Sequence, residues 1–263
     1  MVIDTPAMKT KTERHVFSKL SKEARTSLVD EIVRWGLSVW SSPAEDLRGY
    51  WLETKSYETI VYLLRTEDGR LVGSSTFKYY RVDYEGKAIV VVKLGLGVDP
   101  RHRGNKFAMR CAMRELLHFK LAHPLTPFYV FSTLIHPVTY KLCCDLLGDR
   151  LYPYFKRPDN PEMQKMAAYL AERFGLERAD SPHPFVYRER FSPIETPTAR
   201  DYWRNNPRPE VRFYVEHCPN YDCSDDCLIG LALLEVTHMI PLGMRTLVRN
   251  RMDRWRGRKP RFA

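Results

Sequence analysis

The chain has 263 residues, 44% of them hydrophobic and 28% charged, with a formal net charge of +10. These are the proportions of a globular protein, and no apolar run approaches the roughly 20 residues needed to cross a bilayer. The basic excess calls for an anionic partner or simply aids solubility, and with no zinc-finger, RNA-recognition or helix-turn-helix signature, nucleic acid is not an expected partner.

Residues 1–12 read as a loose arm without the apolar stretch of a secretory signal, so a cytoplasmic location is expected. Ser21 is an N-cap for a helix predicted to run to Trp40, with Leu28, Ile32, Trp35 and Val39 on one face. Ser42-Pro43-Ala44-Glu45 is a capping box with proline at the first helical position, and it starts a second, short helix. Three strands follow, Ile60 to Arg65, Leu71 to Val82 and Ala88 to Val98. The Asp68-Gly69 and Asp83 to Gly86 turns between them predict an antiparallel meander.

The third strand leads into Val98-Asp99-Pro100-Arg101-His102-Arg103-Gly104-Asn105-Lys106-Phe107-Ala108, and an uninterrupted helix-forming run covers Phe107 to Leu121. A strand, a short basic loop and a helix start bring unpaired N–H groups and a positive helix end beside Arg101 and Arg103. The segment is either a phosphate cradle or an ordinary βα turn with solvated basic residues. Pro127 to Ser132 forms a fourth strand, parallel to its predecessor because a helix crosses between them. Val138 to Leu147 is a short helix, and another opens at Asn160-Pro161-Glu162 and ends at Gly175. From Asp180 to Pro209 loops are expected, with a strand near Phe185 to Arg190. No composition shift divides the chain, so residues 1–263 are read as one domain. The stretch 242–258 is a basic amphipathic helix, either docked on the core or lying on an anionic membrane surface or an acidic carrier protein.

The segment Val98-x-Pro100-x-x-Arg103-Gly104-x-x-x-Ala108, within this order of elements, resembles the acyl-CoA-binding motif of the GNAT N-acyltransferases. In that family an Arg/Gln-x-x-Gly-x-Gly/Ala signature wraps the pyrophosphate of coenzyme A. Here Arg103 takes the first position, Lys106 stands where glycine is expected, and Ala108 fills the last. The resemblance covers Thr59 to Gly148 in element order and about ten residues at the motif itself.

It implies an α/β fold, a mixed and mostly antiparallel sheet flanked by helices, with an additional C-terminal α/β region. It also implies a donor site at Leu96, Val98, Arg103, Gly104, Asn105, Lys106, Phe107 and Ala108. The donor is an acyl-CoA or an acyl-carrier-protein thioester, used as substrate rather than held as a permanent cofactor. The acceptor is a primary amine of a small molecule, amino acid or peptide, and a GNAT-fold module that binds without catalysis is the alternative. The family's acid is a tyrosine on the helix after the fifth strand. Tyr140 lies in the corresponding helix here, or packs its ring in the core.

His136, at the end of the strand beside the cleft and of a residue type that titrates near neutrality, is the expected base, or else a helix-capping or solvated histidine; the strand that often carries a glutamate in the family carries Lys93 and no carboxylate here. With neither in that role, catalysis by positioning leaves the proton to solvent. Large apolar residues beyond Leu151 (Tyr152, Tyr154, Phe155, Met163, Met166 and Leu170) either enlarge an acyl pocket for a fatty chain or belong to the core. His217 with Cys218, Cys223 and Cys227 matches no zinc spacing, and no metal is expected; the six cysteines are read as free thiols.

Overall fold

A computed structural model describes residues 9–52, 55–103, 106–158 and 160–235. The strands are β1 (Thr10–Val16), β2 (Trp40–Ser41), β3 (Glu58–Thr66), β4 (Leu71–Tyr84), β5 (Lys87–Val98), β6 (Phe128–Leu134), β7 (Glu177–Arg178), β8 (Val186–Arg188), β9 (Ser192–Pro193) and β10 (Asp226–Leu234). The helices are α1 (Lys22–Gly36), α2 (Ala44–Leu52), α3 (Phe107–Ala122), α4 (Pro137–Leu147), α5 (Pro161–Arg173), α6 (Pro197–Arg204) and α7 (Pro209–His217).

Eight strands form one sheet in the order β1-β3-β4-β5-β6-β10-β8-β7, and only β5 and β6 run parallel. The mixed, mostly antiparallel sheet and its flanking helices are those expected. The β4–β5 hairpin turns through Glu85 and Gly86, both at positive φ (51° and 75°), which suits the right-handed twist of the flanking strands. Asp83 helps by accepting the Gly86 N–H at 3.1 Å.

Strand alternation sends side chains to two different layers. On one face Phe77 and Tyr79 pack with Tyr62, Phe119 and Phe128 under α3. On the other, Lys78 lies over Tyr50 of α2 and Tyr80 meets Phe174 after α5. Arg14 and Tyr62 both bond the buried Glu115 carboxylate and so tie β1 to α3.

Two expectations are corrected. Residues 10–12, assigned to the loose arm, already belong to β1, which is paired with β3 from Thr10↔Thr66 to Val16↔Ile60. The first helix stops at Gly36 rather than Trp40. The Trp40 ring folds back over Gly36, where a Cβ would stand 3.0 Å from it, and Trp40–Ser41 pairs with Ser192–Pro193. The basic stretch 242–258 lies outside the described residues. Among the described residues no helix is long and apolar enough to cross a membrane.

Candidate functional site

The parallel pair holds the site. β5 and β6 are paired from Val90↔Phe128 to Leu94↔Ser132 and then diverge. Beyond that rung β5 stays on β4 as far as Gly73↔Val98, while β6 stays on β10 as far as Leu228↔Leu134. The edge of β5 from Gly95 onward therefore lacks its β6 partner. At the apex the Ser132 hydroxyl donates to the Leu94 carbonyl at 3.3 Å.

The gap is an apolar cleft that passes through the sheet. Tyr50, Trp51 and Phe191 line it on one side, and Ala108, Thr139 and Cys143 on the other. Its free volume is about 80 Å³.

The alternating Leu94-Gly95-Leu96-Gly97 run explains the shape of the cleft. A Cβ on Gly95 would stand 2.9 Å from the Tyr50 hydroxyl, and one on Gly97 would overlap the Trp40 indole. Glycine at these positions lets aromatic rings rest on the strand backbone. The intervening Leu94 and Leu96 also line the cleft.

At the mouth, Asp99 caps a short 3-10 turn, Pro100–His102, by accepting the Arg101 N–H at 3.0 Å. It also pairs with the Arg101 guanidinium at 3.1 Å, so that arginine is committed within the loop. Arg103 is exposed just after the turn and is electrostatically coupled to Glu195. Gly104 and Asn105 lie outside the described residues. Lys106 then begins α3 in the left-handed conformation, φ 59° and ψ 15°, without capping the helix by its side chain. This is the conformation that glycine adopts without strain, at the position where glycine was expected. Phe107 is buried and Ala108 faces the cleft; Leu96 also lines it, whereas Val98 closes β5 and packs on the main core.

His136 is the N-cap of α4 and is buried. Its Nδ1 accepts the Val138 N–H at 3.0 Å, which leaves the proton on Nε2 to meet the Glu195 carboxylate. The Tyr221 hydroxyl donates to the other Glu195 oxygen at 2.8 Å. Burial lowers the His136 pKa and the hydrogen bond it donates to Glu195 opposes this without overcoming it, so the imidazole is held neutral. Burial would raise the Glu195 pKa, but the bonds from His136 and Tyr221 outweigh it and keep the carboxylate ionised. Both ring nitrogens of His136 are thus engaged away from the cleft lining.

Tyr140 is fully buried, stacks on Phe213 with ring centroids 5.5 Å apart, and donates its hydroxyl to the Pro153 carbonyl at 3.2 Å. It does not reach the cleft. Thr139 and Cys143, four residues apart on α4, form the helix face that does. Burial pushes the Cys143 thiol up to about 12, so it stays protonated. Among the large residues beyond Leu151, Met166 and Leu170 are buried in the core, Tyr152, Tyr154 and Met163 pack against it, and none lines the cleft.

Trp40, Tyr50, Ser132 and Glu195 were not singled out from sequence. The glycines at 95 and 97 were the one local signal of rings approaching the strand, while Glu195 meets His136 across 59 residues of chain and left none.

No family model and no curated protein matches the chain. Solved structures similar to it include GNAT-fold acetyltransferases and a probable N-acyltransferase, at low identity. A probable N-acyltransferase of unknown function from Enterococcus faecalis is 14% identical over 51% of this chain, with a TM-score of 0.35. The chain spans only 32% of that protein's length. The Escherichia coli GNAT family N-acetyltransferase YhbS, in complex with CoA, is 15% identical over 52% of this chain and 69% of its own, with a TM-score of 0.33. Arabidopsis thaliana NAA60, in complex with a bisubstrate analogue, is 10% identical over 86% of this chain and 100% of its own, with a TM-score of 0.37.

Proposed function

We propose that this protein is a GNAT-type N-acyltransferase, moving an acyl group from an acyl-CoA or acyl-carrier-protein thioester to a primary amine. The observation that carries the reading is the cleft between β5 and β6, open through the sheet, with the basic loop and the start of α3 beside it. A thioester arm laid along the unpaired edge of β5 takes the place of the missing strand and bonds its free backbone groups. The donor's phosphates meet the first-turn N–H groups of α3 together with Arg103 and Lys106. A β5 backbone N–H polarises the thioester carbonyl, and the amine enters from the side of Trp40, Tyr50 and Trp51.

The acyl group is short on this reading. An apolar cavity of about 150 Å³ holds one benzene ring, and the cleft offers about 80 Å³. The attacking amine is positioned against the carbonyl; as the C–S bond breaks, the amine loses its proton to solvent and the departing thiolate takes one from solvent, since the bonds of His136 and Tyr140 occupy both away from the cleft. His136 acts as a positioning residue that caps α4 and holds Glu195 near Arg103. We also read residues 1–263 as a single catalytic unit.

The test is thiol release from acetyl-, octanoyl- and palmitoyl-CoA with a panel of amines, together with mass spectrometry of the acylated product. Amine-dependent thiol release with a matching amide supports the reading. Coenzyme A binding with no release on any donor or amine overturns it in favour of a binding module.

A further inference from the structure

We infer that Phe191 selects the acceptor, favouring a primary amine borne on an unbranched carbon, a CH2–NH2 group; this rests on the acyltransferase reading above. The rings of Tyr50, Trp40 and Phe191 frame the acceptor side of the cleft. The Tyr50 hydroxyl rests on Gly95, where a Cβ would meet it at 2.9 Å, and the Trp40 indole rests on Gly97. Phe191 closes the frame, its ring centroid 5.7 Å from Tyr50 and 6.1 Å from Trp40.

The frame is narrow. Gly95 and Gly97 are two residues apart on one face of β5, which is about 6.6 Å along the strand. A carbon in contact with atoms on both sides needs about 7–8 Å. One methylene therefore fills the space between the Tyr50 and Trp40 supports, and a second substituent on that carbon meets Phe191. The volume agrees. Benzene, with six heavy atoms, fits a cavity of about 150 Å³, so the cleft, at about 80 Å³, takes about three heavy atoms by the same measure. An acetyl group supplies that many, so the acceptor brings little beyond its nitrogen inside.

Phe191 is the adjustable side of the frame. Trp40 is buried in the core and Tyr50 belongs to α2. Phe191 is half-buried on a strap, residues 190–195, that joins β8 to α6. The strap is tied at both ends and in the middle. Ser42 donates its hydroxyl to the Arg190 carbonyl at 3.3 Å, Ser192–Pro193 pairs with Trp40–Ser41, and Glu195 takes the bonds from His136 and Tyr221. These ties hold the phenyl ring against the opening, and its size sets how wide an amine passes. Lysine side chains, the terminal amines of polyamines and glycine all carry nitrogen on a CH2. The α-amine of any other amino acid sits on a branched carbon and is disfavoured.

The experiment uses the full-length protein with acetyl-CoA and two pairs of isomeric amines, butylamine with butan-2-amine and 2-phenylethylamine with 1-phenylethylamine. Each pair has the same atoms and differs in branching at the carbon that bears nitrogen. One misfitting carbon in an apolar pocket is worth about 10- to 200-fold, so the parent should favour the unbranched isomer at least tenfold in kcat/KM. Branching also slows an amine as a nucleophile, so the change on mutation is decisive. Phe191→Ala should cut the ratio about tenfold by raising kcat/KM for the branched isomer, while Phe191→Tyr keeps the ring and the ratio. Phe191→Leu should cut it less, and it carries the test alone should the alanine chain not fold. Equal use of both isomers by the parent overturns the inference and leaves the acyltransferase reading standing, as does a ratio unchanged in the alanine and leucine variants. If no amine releases thiol, that reading falls, and calorimetry of the two phenylethylamines on the CoA-bound protein decides the slot. Tighter binding of the unbranched isomer that is lost in Phe191→Ala upholds it; equal binding, or none, overturns it.

Discussion

Replacing Lys106 by glycine should make the protein more stable and a poorer binder of coenzyme A. Lys106 holds φ 59° at the start of α3. A left-handed backbone costs a residue with a Cβ about 1–2 kcal/mol. A lysine at a helix N-terminus also opposes the dipole by about 0.3–1 kcal/mol. Against these gains, glycine loses about 0.4–1 kcal/mol through the greater freedom of the unfolded chain. The balance is a stabilisation of about 1 kcal/mol, or about 2–4 °C in melting temperature for a chain of this size.

The same change removes a cation from the proposed phosphate site. One charged contact is worth about 1.5 kcal/mol, so the dissociation constant for coenzyme A should rise about tenfold. Added salt should narrow the difference between variant and parent. Urea unfolding and titration calorimetry at two salt concentrations read both effects. A variant less stable than the parent would refute the strain argument, and an unchanged affinity would remove Lys106 from the donor site.

Three further expectations concern the same region and its supports. Arg103→Glu reverses charge at the loop and should weaken coenzyme A binding by about 10²-fold or more, measured by calorimetry. Tyr140→Phe should cost about 1–2 kcal/mol in urea unfolding by leaving the Pro153 carbonyl unpaired, while kcat stays within about twofold of the parent. Stability should fall on acidification. His136 and His183 have depressed pKa values, His183 down to about 4, with burial the leading cause, so below about 6.5 the unfolded chain takes up protons that the folded chain refuses. Glu195, also depressed, adds to the loss as pH drops below its unfolded value. Urea midpoints that stay flat between pH 7 and pH 5 would contradict this.

What the sequence disclosed was local. The β3–β5 meander was legible because its turns carry Asp-Gly and Glu-Gly, where positive φ is needed. α3, α4 and α5 were legible from their caps and helix-forming runs, and the parallel β5–β6 pair followed from the helix between its strands. β1 was hidden because an edge strand buries only part of one face, and Thr10-Lys-Thr-Glu-Arg-His-Val16 therefore looks like a polar arm. Trp40 was drawn into the first helix by periodicity, whereas tertiary packing on Gly36 and Gly97 places it in β2. The cleft was legible in part. The motif located its mouth, but whether Tyr140 or Thr139 faces inward depends on the rotation of α4, a matter of about 100° that residue type does not fix.

The pairing of β6 with β10 has a consequence for the order in which the molecule is made. Leu134 bonds alongside Leu228, far later in the chain, so one wall of the cleft stands on a strand whose outer neighbour is synthesised long after it. Until β10 arrives, β6 presents an open apolar edge, Phe128 to Leu134, of the kind that pairs with other chains. The gap between β5 and β6 is thus completed only when that late strand joins the sheet. Translation speed and chaperone cover over the intervening segment then bear on how much functional protein a cell obtains.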